Sequence, residues 1–151
     1  MNEIDIKLLE LLQRDATQSS AVLAEQLNIS KSAVWRRIKK LEDQGVIRER
    51  TTILNADALG LSLTVYISIR TNQHNEAWSQ QFSDITQSLP QVLEVHRMSG
   101  DLDYLIKAVV KDMIDFDKLY QQLIKANLYD VSSSFVMEEI KSTTKLPLKH
   151  V

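Results

Sequence analysis

Apolar positions in the first third of the chain recur at helical intervals. Ile4, Leu8, Leu11 and Leu12 fall at i, i+4, i+7 and i+8, a single stripe of an amphipathic helix. Val22, Leu23 and Leu27 mark a second, shorter helix, with Ser19 or Ser20 able to cap it. The tripeptide Asn28-Ile29-Ser30 then breaks the pattern. Asn28 suits a helix C-terminus and Ser30 the next N-cap. A third helix is predicted from about Lys31 to Gln44, with Val34, Ile38 and Leu41 on one face and Gly45 ending it. The β-branched run VIRERTTIL that follows predicts a small two-stranded wing.

Residues 55–61, NADALGL, read as a connector, and beyond them the period changes from 3.6 to two. Leu63, Val65, Ile67 and Ile69 alternate with Thr64, Tyr66, Ser68 and Arg70, which is a strand. Trp78, Phe82, Ile85 and Leu89 return to helical spacing before Pro90. Strands are predicted at 92–98 and 103–111, a helix carrying Phe116, Leu119, Leu123 and Ile124 after Asp112, and a last strand at 131–142. The order βαβ-βαβ is that of a ferredoxin-like domain, a four-stranded antiparallel sheet with both helices on one face. The fold class is therefore α+β: a winged helix-turn-helix at 1–54, a linker at 55–61, and a ferredoxin-like βαββαβ domain at 62–151. Leu105 and Val109 oppose Ile106, Ala108 and Val110, so the sheet is apolar on both faces. In so small a domain that points to burial against a second subunit.

Charge sharpens the picture at one place. The net charge of −2 says nothing for nucleic acid, but Lys31, Arg36, Arg37, Lys39 and Lys40 stand within ten positions without an acid. At roughly 100° per residue, Ser32 and Arg36 point away from the buried face, with Lys39 and Lys40 close by and Lys31, Trp35 and Arg37 on the flanks. Solvation alone explains most such basic faces. Here a capped turn directly precedes the run, the helix-turn-helix arrangement for the DNA major groove. The candidate base readers are Ser32, Trp35 and Arg36. The candidate phosphate contacts are Lys31, Arg37, Lys39 and Lys40, and Ser30 belongs to the same group at the cap. Trp35 has a second reading, packing on the edge of the core.

Other chemistry finds little support. With no cysteine there are no disulfides or thiolate ligands. His74, His96 and His150 are scattered over a loop, a strand and the tail, without the spacing of a zinc site. Three glycines cannot build a phosphate-cradling loop, and no glycine-flanked serine is present. Glu138 and Glu139 would fall on opposite faces of the last strand. No enzyme is expected, and neither a cofactor nor a metal. No apolar run approaches the roughly 18 residues of a membrane span, and the charged N-terminus is unlike a signal peptide. The expectation is a cytoplasmic protein without a membrane partner.

One stretch stays open on spacing alone. In SGDLDYLIKA (99–108), Asp101 and Asp103 follow Gly100. They can shape a hairpin turn, hold an ammonium group or bind a metal; spacing favours the turn.

Two longer stretches carry a resemblance. DIKLLELLQRDATQSSAVLAEQLNISKSAVWRRIKKLEDQGVI, with SGDLDYLIKAVVKDM and SSFVMEEIKSTTKLPL, resembles the Lrp/AsnC family of transcription regulators over essentially the whole length. Where members often carry an early proline in the recognition helix, this chain has Lys31 to Ala33. The resemblance implies homodimers joined through the ferredoxin-like domains and assembled further, frequently to octamers, with double-stranded DNA wrapped or bent around them. It also implies a small amino-acid effector bound between dimers. By matched position, Gly100, Asp101, Asp103 and Tyr104 become the effector loop, with Ser133 and Ser134 as weaker candidates. The function implied is regulation of amino-acid metabolism genes, the effector favouring one packing of dimers over another. The alternative is an architectural, nucleoid-type DNA binder that needs no effector.

Overall fold

The structure is a computed structural model that describes residues 1–150. The chain forms two compact units. One is Met1–Ile53 together with the segment that begins at Lys141; the other is Leu54–Ile140.

The first unit holds three helices, α1 (Glu3–Arg14), α2 (Ser20–Leu27) and α3 (Lys31–Asp43). Each begins on a polar cap. Asn2 and Asp5 form a reciprocal capping box on α1, while Ser19 and Ser30 accept backbone N–H groups at the starts of α2 and α3. Asn28 closes α2 in the left-handed conformation (φ 53°), which asparagine tolerates better than most residues. Leu8, Leu23, Val34 and Leu41 are fully buried where the three apolar stripes meet. Each contributes about 2 kcal/mol by leaving water.

Two expectations for this unit are corrected. No strand forms in residues 46–54, so the wing is not a two-stranded element here. VIRERTTIL contains no Gly, Asn, Asp or Pro to reverse the chain, and a lone extended run has nothing to pair with. The C-terminal segment, expected to continue the sheet domain to 151, returns to the helical unit instead. Gln13 of α1 brackets Leu146, its Nε2 donating to the Leu146 carbonyl (3.1 Å) and its Oε1 accepting the Leu146 N–H (2.6 Å). Leu148 packs against the helical core.

The second unit runs β1 (Leu63–Arg70), α4 (Glu76–Ser88), β2 (Val92–Arg97), β3 (Tyr104–Val110), α5 (Met113–Leu123) and β4 (Asp130–Phe135). The sheet order is β2-β3-β1-β4 with antiparallel pairing throughout, the ferredoxin-like topology. Val65, Ile67 and Ile69 of β1 and Ile106, Ala108 and Val110 of β3 share one face. They bury against Trp78 and Phe82 of α4 and Leu119 and Leu123 of α5. The other face presents Tyr66, Leu105, Lys107, Glu94 and His96, by their register opposite the buried set.

The last strand is shorter than the predicted 131–142. Its only neighbour is β1, and the pairing ends where the Val136 N–H reaches the Thr64 carbonyl (2.9 Å), one residue from the start of β1. Beyond that point no strand among the described residues is available to pair with. Glu138 and Glu139 therefore lie outside the sheet rather than on its two faces.

Candidate DNA interface and effector loop

The outward side of α3 carries most of the residues singled out for DNA. Lys31, Ser32, Trp35, Arg36, Lys39 and Lys40 are all exposed, opposite the buried Val34, Ile38 and Leu41. Trp35 is 65% exposed, which removes its core-edge reading. The Ser30 hydroxyl is engaged as the cap, accepting the Ala33 N–H (3.1 Å) and lying 3.0 Å from the Ser32 hydroxyl. Lys39 pairs with Asp43 one turn along (3.0 Å), and that neighbour pushes its pKa up, so it stays a cation. Both partners are well exposed, and such a pair holds a lysine only weakly.

Arg37 departs from the expected phosphate role. It turns inward, its Nη1 2.5 Å from Asp5 and 3.2 Å from the Asn2 side chain. Asp5 is only 4% exposed. Burial pushes the Asp5 carboxyl up, but the Asn2 N–H and the Arg37 guanidinium together hold it below its usual value. The pair ties the first turn of α1 to the middle of the recognition helix. The Asn2-to-Asp5 spacing signals the capping box, whereas nothing local signals the arginine that joins it.

The loop expected to bind an effector closes the β2–β3 hairpin. Gly100 takes φ +111°, a conformation that side chains with a Cβ rarely adopt. Asp101 is held by Arg70 of β1, through its carboxylate (2.5 Å) and through its backbone carbonyl, which accepts from Nε (3.0 Å). The same guanidinium reaches Asp130 at the start of β4 (2.6 Å). These two carboxylates raise the Arg70 pKa, Asp101 more strongly. Asp103 is anchored otherwise. Its Oδ2 accepts the Thr71 N–H (2.8 Å), its own N–H donates to Ile69 (3.0 Å) and its carbonyl accepts from Met98 (2.8 Å).

Asp103 and Tyr104 line a pocket of about 220 Å³. Its opposite side is the polar run after β1, including Thr71, Gln73 and His74, with Arg97 of β2 beside them. Tyr104 is fixed from behind by Phe82 (4.7 Å between ring centroids) and Trp78 (5.7 Å). Trp78 in turn donates its indole N–H to the Ala126 carbonyl (2.6 Å). Ser133 and Ser134 are not brought to this place. Val131 is level with Ile69 and hence with Tyr104, while Ser133 and Ser134 lie two and three residues farther along β4, opposite Ile67 and Tyr66. That is roughly 7–10 Å along the strand, with all of β1 between. Ser133 also shares the helix-covered face with Ile67, and Ser134 the other.

Arg70, Thr71, Gln73, His74 and Arg97 were absent from the sequence-derived set. For Thr71, Gln73 and His74 the sequence signal is the dense polar run TNQHNE after a strand, whereas Arg70 and Arg97 end strands β1 and β2 with no such mark.

Comparison with known proteins accords with both units. A winged helix-turn-helix DNA-binding domain matches residues 1–48, and an Lrp/AsnC ligand binding domain matches residues 64–146. The chain is 44% identical to the glutamate uptake regulatory protein of Zymomonas mobilis over 98% of this chain and 91% of that one. It is 40% identical to the DNA-binding transcriptional activator DecR of Escherichia coli K12, over 99% of each. Among solved structures, an AsnC family transcriptional regulator from Agrobacterium tumefaciens superposes with a TM-score of 0.93 at 43% identity, over 99% of each chain. A transcriptional regulator from Neisseria meningitidis, solved in complex with L-methionine, also gives 0.93, at 32% identity, over 99% of this chain and 98% of that one.

Proposed function

The chain belongs to the Lrp/AsnC family of transcriptional regulators, and from that membership we propose that it reads operator DNA with the exposed face of α3 and answers to a small amino acid bound beside the Gly100 loop. The observation that carries the reading is the capped recognition helix, basic and aromatic outward and apolar inward. Ser32, Trp35 and Arg36 lie in its first half, from which base edges in the major groove are reached. Lys31, Lys39 and Lys40 supply phosphate contacts. Arg37 acts on the protein side, holding the helix against α1.

The effector reading rests on Asp103 and Tyr104, two of the expected loop residues, lining one pocket, and is supported by the Neisseria relative carrying L-methionine. An ammonium group finds a carboxylate there. The Zymomonas relative, a regulator of glutamate uptake, supports amino-acid metabolism as the regulated process. The uncovered sheet face, with Tyr66 and Leu105, joins a second copy, and dimers assemble to octamers. An effector that binds one assembly more tightly than another repositions the recognition helices. The protein acts in the cytoplasm and catalyses no reaction.

The test is selection from a random duplex pool followed by fluorescence anisotropy. Wild type is expected to enrich one sequence class and to bind it less tightly as salt rises. Equal retention of all duplexes would overturn the regulator reading in favour of an architectural one. Sedimentation with and without amino acids tests the assembly.

A further inference from the structure

We propose that the pocket between the 71–75 loop and the β2–β3 hairpin selects an α-amino acid whose side chain makes hydrogen bonds, in preference to an aliphatic one. The proposal rests on the amino-acid effector reading and goes further in naming the ligand's side-chain class and its anchoring residues.

Charge in the pocket is of both signs. Asp103 presents a carboxylate of which Oδ2 takes the Thr71 N–H, leaving Oδ1 without a protein partner among the described residues. Arg97 lines the same space, and neither it nor the pocket's Glu76 is ion-paired among the described residues. Two carboxylates and a guanidinium around about 220 Å³ suit a zwitterion with its ammonium group better than a simple anion. Asp103 takes the ammonium end, and Arg97 the carboxylate end. The volume is several times the roughly 30 Å³ share of one water molecule and below the roughly 300 Å³ at which drug-sized pockets begin. A single small metabolite fits.

The remaining lining decides the side chain. The Asn75 side-chain oxygen is spent on capping α4, where it accepts the Trp78 N–H (2.9 Å), and the Thr71 hydroxyl accepts the Gln73 N–H (3.1 Å). Among the described residues, the Gln73 carboxamide, the His74 ring and the Ser79 hydroxyl make no hydrogen bond of their own. Tyr104 and the His74 ring are the aromatic groups, and among the described residues no aliphatic side chain lines the pocket. An aliphatic ligand would displace water from these donors and acceptors and return no hydrogen bond. A carboxamide or carboxylate side chain replaces the water it displaces.

L-Glutamine and L-methionine are nearly equal in length and differ in polarity, so they make the decisive pair. Titration calorimetry on the full chain is expected to give L-glutamine or L-glutamate an affinity at least about tenfold above L-methionine and L-leucine. Arg97→Leu should lower the polar ligand's affinity about tenfold or more, with Arg97→Lys recovering part of it. Arg97 is exposed on β2, so an unchanged melting temperature will show that both variants fold. Equal or tighter binding of L-methionine or L-leucine, or an Arg97→Leu variant with unaltered affinity, would overturn this proposal and leave the effector reading standing. No heat from any of the twenty amino acids would overturn both.

Discussion

Asp5 and Arg37, 32 residues apart, meet at 2.5 Å in a site where the carboxylate is nearly buried and the guanidinium half-buried. Their neighbour Arg36 faces solvent. Two adjacent arginines thus stand in different surroundings. Arg37→Ala strands the buried carboxylate and is expected to cost about 2 kcal/mol in chemical denaturation. Arg36→Ala should change stability by less than about 0.5 kcal/mol while weakening DNA binding by about 1–3 kcal/mol and relaxing its sequence preference. Equal loss of stability in the two variants would contradict the division.

Acid should loosen the same joint. The Asp5 carboxyl is held below its ordinary value of 3.8 in the folded protein, despite its burial, by the Asn2 N–H and Arg37. A group with a lowered folded pKa contributes stability that is fully present above its unfolded value. That stability is lost as pH falls through the folded one. Denaturation midpoints should therefore drop below about pH 4, and an Asp5→Asn variant, already destabilised, should show a shallower drop. Parallel curves for the two proteins would exclude Asp5 as a source.

The two tryptophans offer a separate measurement. Trp35 is 65% exposed and Trp78 is 3% exposed. In a Trp78→Phe variant, acrylamide should quench the remaining fluorescence efficiently, and operator DNA should protect it. Trp35→Ala is expected to leave stability within about 0.5 kcal/mol and to reduce DNA affinity. Quenching unaltered by bound DNA would place Trp35 outside the interface.

Arg70 joins the hairpin tip to the start of β4 through Asp101 and Asp130, on partly exposed groups. Surface pairs of this kind stabilise by at most about 1 kcal/mol. Arg70→Gln should thus melt within a few degrees of wild type, yet amide exchange in residues 99–103 should speed up. Exchange as slow as in wild type would mean that Gly100 and the strand ladder hold the loop unaided.

The bracket between Gln13 and Leu146 predicts that the tail steadies the helical unit. Gln13→Ala or Leu148→Ala should each lower that unit's stability by about 1 kcal/mol and expose the Leu146 N–H to exchange. The melting of a separately monitored sheet unit should stay unchanged.

Much of this was legible in the chain. Ser30 ahead of Lys31, with Val34, Ile38 and Leu41 behind, states both where the recognition helix starts and which side it buries. The alternation from Leu63 to Arg70 states which face of β1 meets the helices. Gly100 with Asp101 marks a hairpin. These signals are local, because caps, helical stripes and strand alternation act over a few residues. The two strands expected in the wing and the length of the last strand failed for the opposite reason. A strand exists only where another backbone is available to pair with it, and β-branched composition does not supply the partner.

The sequence by itself thus determined the elements, their order, the basic outward face of α3 and the acid-bearing turn. Only the tertiary structure decided that Arg37 turns in to Asp5, that Arg70 holds Asp101, that Thr71 and Arg97 join Asp103 around one pocket, and that Leu146 returns to Gln13 across 133 positions. Each of these contacts joins residues far apart along the chain or in different elements. Their geometry depends on how the elements pack, which no local spacing encodes.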